Sequence, residues 1–318
     1  MNSKEIERKN TMDTSTFYLQ ARDGKQIFAR KWTTESTPLA IVQIAHGMAE
    51  HIDRYDDFAS YLVQHHIFVY GNDHRGHGHT ETRSKDMGYF ADQHGFETIV
   101  EDMNALTDTI IHDYPDTPIF LFGHSMGSFL SRRYIQLFGK RLQGVIFSGT
   151  GGHPGFMGKI GHQIAAREAR KKGRRTTSNR MNSLTFGSYN HAFKPTRTDF
   201  DWLSRDEKEV DKYINDPLCG GIFTAGFFED FLMGLLSIYD EDESIPKNLP
   251  AFFVSGDKDP VGKNTKGVLQ SIRQLQKVGI VDVSYKFYPD ARHEILNEIN
   301  KKEVYRDILN WLNHRLGH

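Results

Sequence analysis

The chain has 318 residues, 38% of them hydrophobic and 12% aromatic, and a formal net charge of -1. That is enough apolar material for a large α/β core with an insertion, and the near-neutral charge supplies no electrostatic reason for a nucleic-acid partner. A single cysteine, Cys219, excludes an intrachain disulfide and a cysteine-based metal cluster, which fits a reducing compartment.

Residues 1–14 are charged and polar, without the apolar run of a signal peptide, and are expected to form a tail. Residues 17–19 and 27–32 read as strands joined around Asp23-Gly24, a turn that favours positive φ. The continuous apolar runs 39–45 and 67–70 are marks of strands buried on both faces, with a helix at 53–64 between them. From Phe96 onward Ile99, Val100, Met103, Leu106 and Ile110 recur at helical spacing, closed by Pro115 and Pro118. A strand at 118–122, a helix at 129–138 and a strand at 145–147 follow. The alternation resumes with strands at 251–254 and 283–288 and helices near 268–277 and 302–316. This pattern predicts a mostly parallel sheet covered by helices on both faces.

Between about 150 and 246 the alternation breaks into a mainly helical stretch that ends at Asp240-Glu241-Asp242-Glu243. The expected organisation is a core from 15–149 and 247–318 with a helical cap, 150–246, inserted above the carboxyl ends of the strands, where open α/β sheets place their ligands. The most apolar segment, 221–239, carries Glu229 and Asp230 at its middle, so a bilayer span is not expected and a soluble cytoplasmic protein is.

Gly123-His124-Ser125-Met126-Gly127 joins a predicted strand to a predicted helix. In such a turn a serine hydroxyl projects from the sheet edge, and glycines two before and two after avoid collisions with the neighbouring strand and helix. A serine needs a base, and the base an orienting acid, in the chain order Ser, acid, His. Ser255-Gly256-Asp257-Lys258-Asp259-Pro260-Val261 supplies an acidic loop after one strand, and Pro289-Asp290-Ala291-Arg292-His293-Glu294 a histidine after the next. Ser125 is therefore the expected nucleophile and His293 the base, with Asp257, Asp259 and Asp290 all open as the acid. An oxyanion would need two backbone donors: Met126 at the start of its helix, and Met48 in the loop His46-Gly47-Met48, where Gly47 lets the chain approach the substrate.

Asp73-His74-Arg75-Gly76-His77-Gly78-His79, with His46 and His51 near strand ends, is dense in possible metal ligands. Its glycines make it a loop rather than a zinc-binding helix pair, and a structural role beneath the site is expected, with no metal. Residues 159–180 hold eight Lys or Arg against one acid, Glu168. A solvated face is the plain reading, and peripheral contact with an anionic membrane is the sharper one. Phe223, Phe227, Phe228, Phe231, Leu232, Leu235 and Leu236 would form the cap core, with one face of the row, Phe223, Phe227, Phe228 and Phe231, lining an acyl-chain tunnel.

Together His46-Gly47-Met48-Ala49-Glu50-His51 with Arg54-Tyr55, Asp73-His74-Arg75-Gly76-His77-Gly78, the Ser125 pentapeptide, Gly256-Asp257-Lys258-Asp259 and Arg292-His293 resemble the monoacylglycerol lipase and lysophospholipase branch of the α/β-hydrolases, often catalogued under a serine aminopeptidase domain. The similarity spans roughly 15–315 and is loosest in the cap, where Asn215-Asp216-Pro217-Leu218-Cys219-Gly220 resembles bacterial members. The resemblance implies an α/β-hydrolase fold, Asp259 as the acid because it stands three residues after the strand-ending Gly256, and acyl and alcohol pockets formed by the cap. The expected function is serine ester hydrolysis through an acyl-enzyme, on a single-chain lipid ester such as a monoacylglycerol or lysophospholipid, without cofactor. The rival expectations are an aminopeptidase, with cap acids such as Glu229 or Asp230 holding the substrate ammonium, and a retired hydrolase that binds lipid without turnover.

Overall fold

The computed structural model describes residues 11–81, 86–239 and 244–317; most of the expected tail and the acidic run Asp240-Glu241-Asp242-Glu243 lie outside them. Eight strands form one sheet: β1 (Asp13–Gln20), β2 (Gln26–Thr33), β3 (Ala40–Ala45), β4 (Ile67–Asn72), β5 (Ile119–His124), β6 (Gly144–Ser148), β7 (Ala251–Gly256) and β8 (Val283–Tyr288), in spatial order β1-β2-β4-β3-β5-β6-β7-β8. The opening hairpin is antiparallel and β2 pairs antiparallel with β4, while every later pairing is parallel. β1 starts at Asp13, inside the stretch expected as tail, because its register with β2 runs the full length of both strands.

Strands β3 to β7 are buried along their whole length, and their residues alternate between two apolar layers. Leu121, Val145, Phe147 and Phe253 face one layer, and Val42, Phe120, Phe122, Ile146 and Val254 the other. Helices cover both sides, which is why these strands read as unbroken apolar runs. α2 (Gly95–Asp113), α3 (Met126–Phe138) and α8 (Lys266–Lys277) close the first layer, and α1 (Asp56–Val63) and α9 (Lys301–Leu316) the second.

Between β6 and β7 lie α4 (Gly155–Lys172), α5 (Asn179–Phe186), α6 (Glu207–Asn215) and α7 (Ala225–Ser237). α7 packs on α2 so closely that a Cβ on Gly234 would fall 2.2 Å from the Phe96 ring, and α4 lies across α7. A separate cluster of Trp202, Leu203 and Tyr213, with Phe186, Tyr189 and Phe200 against it, closes the remainder of the insertion. Among the described residues no helix is long and apolar enough to cross a membrane.

Candidate active site

The turn between β5 and α3 holds Ser125 at φ +50°, ψ -118°, a strained backbone that non-glycine residues adopt only where the surroundings enforce it. Here the surroundings do. Ser125 N–H donates to the Ser148 carbonyl at 2.9 Å, tying the turn to β6. A Cβ on Gly127 would sit 2.0 Å from the Ala45 carbonyl oxygen, and one on Gly123 2.5 Å from that of Gly127, so only glycine fits at both positions. The serine is left between strand and helix with its side chain on a cavity of about 330 Å³.

His293 lines the same cavity from the loop after β8. Its Nδ1 lies 3.0 Å from each carboxylate oxygen of Asp259, and both residues are almost fully buried. Burial pulls the imidazole down, but the Asp259 charge and hydrogen bond outweigh it and hold His293 above its ordinary value. Asp259 is fixed in turn by the Val261 N–H at 2.9 Å. Asp257 instead accepts from the Asp290 backbone N–H at 2.8 Å, so its carboxylate is held by the loop after β8 and not by His293. Among the described contacts no hydrogen bond joins Ser125 to His293; catalytic hydrogen bonds commonly stay loose until substrate is bound. His124 packs its ring 4.8 Å from that of His293, and burial, reinforced by the His293 charge, brings its pKa down to about 4.

Gly47 and Met48 form another wall of the cavity. Neither the Met48 nor the Met126 backbone N–H donates to another described residue, so both remain available to a ligand. The Met126 side chain is buried in the core, as a packing residue should be. A buried ionic chain shapes this turn: Glu50 accepts from Gly47 N–H at 2.6 Å, Tyr55 Oη at 2.9 Å and Arg54 Nη1 at 2.8 Å, and Arg54 holds Glu294 with two bonds of 2.7 Å. Burial alone would raise the Glu294 carboxyl, yet the Arg54 charge and hydrogen bonds win and bring it down to about 2. The sequence reading overlooked this chain, whose signals were the i, i+4 spacing of Glu50 and Arg54 and an acid directly after His293.

The apolar row of the insertion is not where the sequence suggested. Phe223, Phe227, Phe228 and Phe231 are buried in the main core and none borders the cavity. The Phe227 ring packs tilted 4.3 Å from that of Phe223 and 4.4 Å from that of Phe90, and Phe129 meets Phe231 at 6.0 Å. α7 is drawn into the core because its apolar side meets α2, leaving α5 and the 186–213 stretch to face the serine. Phe186, Phe200, Trp202, Leu203 and Tyr213 form that wall, with Asn182, Ser183, Asn190 and Asp199 as its polar groups. The insertion between β6 and β7 is tied to the histidine loop: His293 N–H donates to the Trp202 carbonyl at 3.3 Å and Glu294 N–H to that of Leu203 at 2.7 Å.

The histidine-rich loop is packed beneath the site. His46 accepts the His74 N–H at Nε2 (2.9 Å) and donates from Nδ1 to the Gly47 carbonyl (2.7 Å), while His77 donates to the Arg75 carbonyl. The His46 ring lies 4.2 Å from that of His74 and 5.1 Å from that of His77, an arrangement that braces the turn bearing Gly47. Of the basic run, Lys172 pairs with Glu168, Arg174 with Glu229 and Asp230, and Arg175 with Asp86; Lys159, Arg167, Arg170, Lys171 and Arg180 point to solvent.

Residues 36–300 match the family described as serine aminopeptidase, S33. The chain belongs to that family. This S33 protein is a hydrolase with the α/β-hydrolase fold, as its relatives bear out. It is 30% identical over 309 residues to the monoglyceride lipase of Mus musculus, covering 94% of this chain and 91% of the relative. The monoacylglycerol lipase of Mycolicibacterium smegmatis is 28% identical over 91% of this chain and 93% of its own. Among solved structures, a thermostable carboxyl esterase from Bacillus coagulans in complex with glycerol superposes with a TM-score of 0.88 at 29% identity, over 96% of this chain and 100% of that one.

Proposed function

We propose that this S33 hydrolase cleaves single-chain lipid esters, monoacylglycerols foremost, through an acyl-enzyme formed on Ser125. The observation that carries the reading is His293 held by both oxygens of buried Asp259 on the cavity that Ser125 also lines. Ser125 Oγ attacks the ester carbonyl as its proton passes to His293 Nε2, and Asp259 holds the imidazolium that results. The oxyanion accepts from the Met48 and Met126 N–H groups; losing such a donor costs about 10²–10³ in turnover. Collapse breaks the C–O bond, and the alcohol leaves with the proton from His293. A water deprotonated by His293 then attacks the acyl carbon, and Ser125 departs reprotonated with release of the fatty acid. Segment 150–246 serves as the cap, its aromatic wall taking the acyl chain, and relatives named monoglyceride lipase support the glycerol ester as the substrate.

An aminopeptidase would need a free carboxylate for the substrate ammonium. Glu50 and Glu294 border the cavity but are neutralised by Arg54, and Glu229 and Asp230 are held by Arg174. Asp199 also borders the cavity, exposed and without an ion pair among the described residues, so it is the relatives named monoglyceride lipase that favour the ester reading. The protein works in the cytoplasm, where the cations of α4, beside exposed Phe156 and Met157, offer salt-sensitive contact with anionic membrane.

The test is hydrolysis of acyl esters from two to sixteen carbons, monoacylglycerols, lysophospholipids and aminoacyl-arylamides by wild type and Ser125→Ala. Loss of at least about 10⁴-fold in the variant, with monoacylglycerol preferred, supports the reading. Turnover of arylamides alone, or lipid binding without turnover in wild type, overturns it.

A further inference from the structure

We propose that His51, Asp216 and Cys219 form a binding site for a thiophilic divalent cation, with zinc as the best match, where the turn after β3 meets the loop after α6. One ligand atom from each of the three lies within 4.8 Å of the other two. His51 Nε2 and Asp216 Oδ2 are 2.8 Å apart, with the imidazole buried and the carboxylate and thiol partly open. Zinc bonds of about 2.0–2.3 Å place tetrahedral ligand atoms roughly 3.3–3.8 Å from one another. Closing the triplet therefore takes shifts on the order of 1 Å at the ends of three side chains.

Three further observations favour a cation here. Asp216-Pro217-Leu218-Cys219 has the two-residue spacing that lets one turn offer two ligands, and the turn is already folded: Leu218 N–H donates to Asp216 Oδ1 at 2.9 Å and Cys219 N–H to the Asp216 carbonyl at 3.0 Å. His51 and Asp216 border a cleft of about 550 Å³ that gives a cation a path to both ligands; its other wall carboxylates, Asp53, Asp56, Asp57 and Glu209, are ion-paired to Arg30, Lys212 and Lys301. The nearby Arg54 does not repel them, since Glu50 and Glu294 offset its charge. A thiolate with an imidazole and a carboxylate selects zinc over magnesium or calcium, which prefer oxygen alone. The set His51, Asp53 and His79 shares the imidazole but has no thiol, and Asp53 is held by Arg30 at 2.7 Å.

Binding forms the three metal–ligand bonds and displaces one proton, from the thiol. For the imidazole to coordinate through Nε2, the proton that Nε2 now donates to Asp216 moves to Nδ1, which has no other hydrogen-bond partner among the described residues, and the His51–Asp216 hydrogen bond is replaced by the two metal–ligand bonds. The site joins the two segments that Gly220 N–H and the Ala49 carbonyl already link at 3.0 Å beside the cavity. It rests on this geometry and not on the proposed reaction.

Because Cys219 is the only cysteine of the chain, a sulfur-to-cobalt charge-transfer band can arise from no other residue. The full chain, stripped with chelator, is titrated with Co²⁺ and then Zn²⁺, beside Cys219→Ser and Asp216→Asn. The expected result is a near-ultraviolet band complete at one equivalent and abolished by Zn²⁺. The band should be absent in Cys219→Ser, and Zn²⁺ affinity should fall at least about tenfold in either variant. Thermal unfolding of both metal-free variants checks their fold, and Asp216→Asn, at a partly exposed position, carries the test if the serine variant misfolds. No thiolate band in wild type, or equal Zn²⁺ affinity in wild type and the variants, overturns the proposal by placing any bound cation on other histidines.

Discussion

Mild acid should unfold this protein steeply, because four imidazoles are buried uncharged. Burial, the largest effect in each case, brings His46 to about 3 and His124 to about 4 and holds His74 and His77 well below the ordinary value. In the unfolded chain each binds a proton near pH 6.5, at about 1.4 kcal/mol per proton per pH unit. As pH falls below about 6.5 the unfolded state thus gains four protons that the native state refuses, and stability is lost. Two carboxyls act in the opposite sense. Burial raises Asp73 and Asp102 to about 6, so the native state takes up those two protons first and offsets about half of the loss. His293 is raised, so its contribution is complete below the unfolded histidine value and adds no slope there. The remaining difference is about two protons, or about 3 kcal/mol per pH unit, and roughly 4 kcal/mol between pH 6.5 and 5. That is a large share of the roughly 5–15 kcal/mol typical of a folded protein. Urea unfolding at a series of pH values reads the slope directly. His74 makes no side-chain hydrogen bond to another described residue, so His74→Leu should remove one proton from the difference and flatten the slope by about 1.4 kcal/mol per pH unit. Superimposable slopes for wild type and variant, or a flat wild-type profile, would refute the reasoning.

Three other substitutions probe separate links. Asp259→Asn should lower turnover about 10⁴-fold and shift the acid limb of kcat/KM to lower pH, since burial of His293 remains while the charge that raises it is gone; an unmoved limb in the pH–rate profile would contradict this. Gly127→Ala drives a Cβ onto the Ala45 carbonyl, a backbone atom that cannot swing aside, and should cost at least about 4 kcal/mol in the unfolding free energy. Near-wild-type stability there would mean the elbow relaxes. Phe227→Ala should cost about 3–5 kcal/mol through the cavity it leaves, with KM and chain-length preference for esters unchanged. A changed preference at full stability would return that ring to the substrate path.

The strand pattern was legible because strands covered on both faces must be apolar throughout, and β3 to β7 are. The serine turn was equally legible, since the crowding at Gly123 and Gly127 follows from local chain geometry and leaves a spacing in the sequence. The choice among Asp257, Asp259 and Asp290 was not open to residue chemistry alone. Two turn carboxylates two residues apart look alike until the loop's path points one at His293 and the other at the Asp290 N–H. The aromatic row of α7 misled for a related reason. Spacing along a helix tells which residues are apolar, not what lies opposite, and α2 rather than a ligand lies opposite Phe231. Local sequence thus determined the elements and the elbow, whose causes lie within a few residues. Tertiary packing alone decided the acid's partner, the aromatic wall and the Glu50–Arg54–Glu294 chain, because each joins groups far apart in sequence whose meeting depends on how whole layers settle against one another.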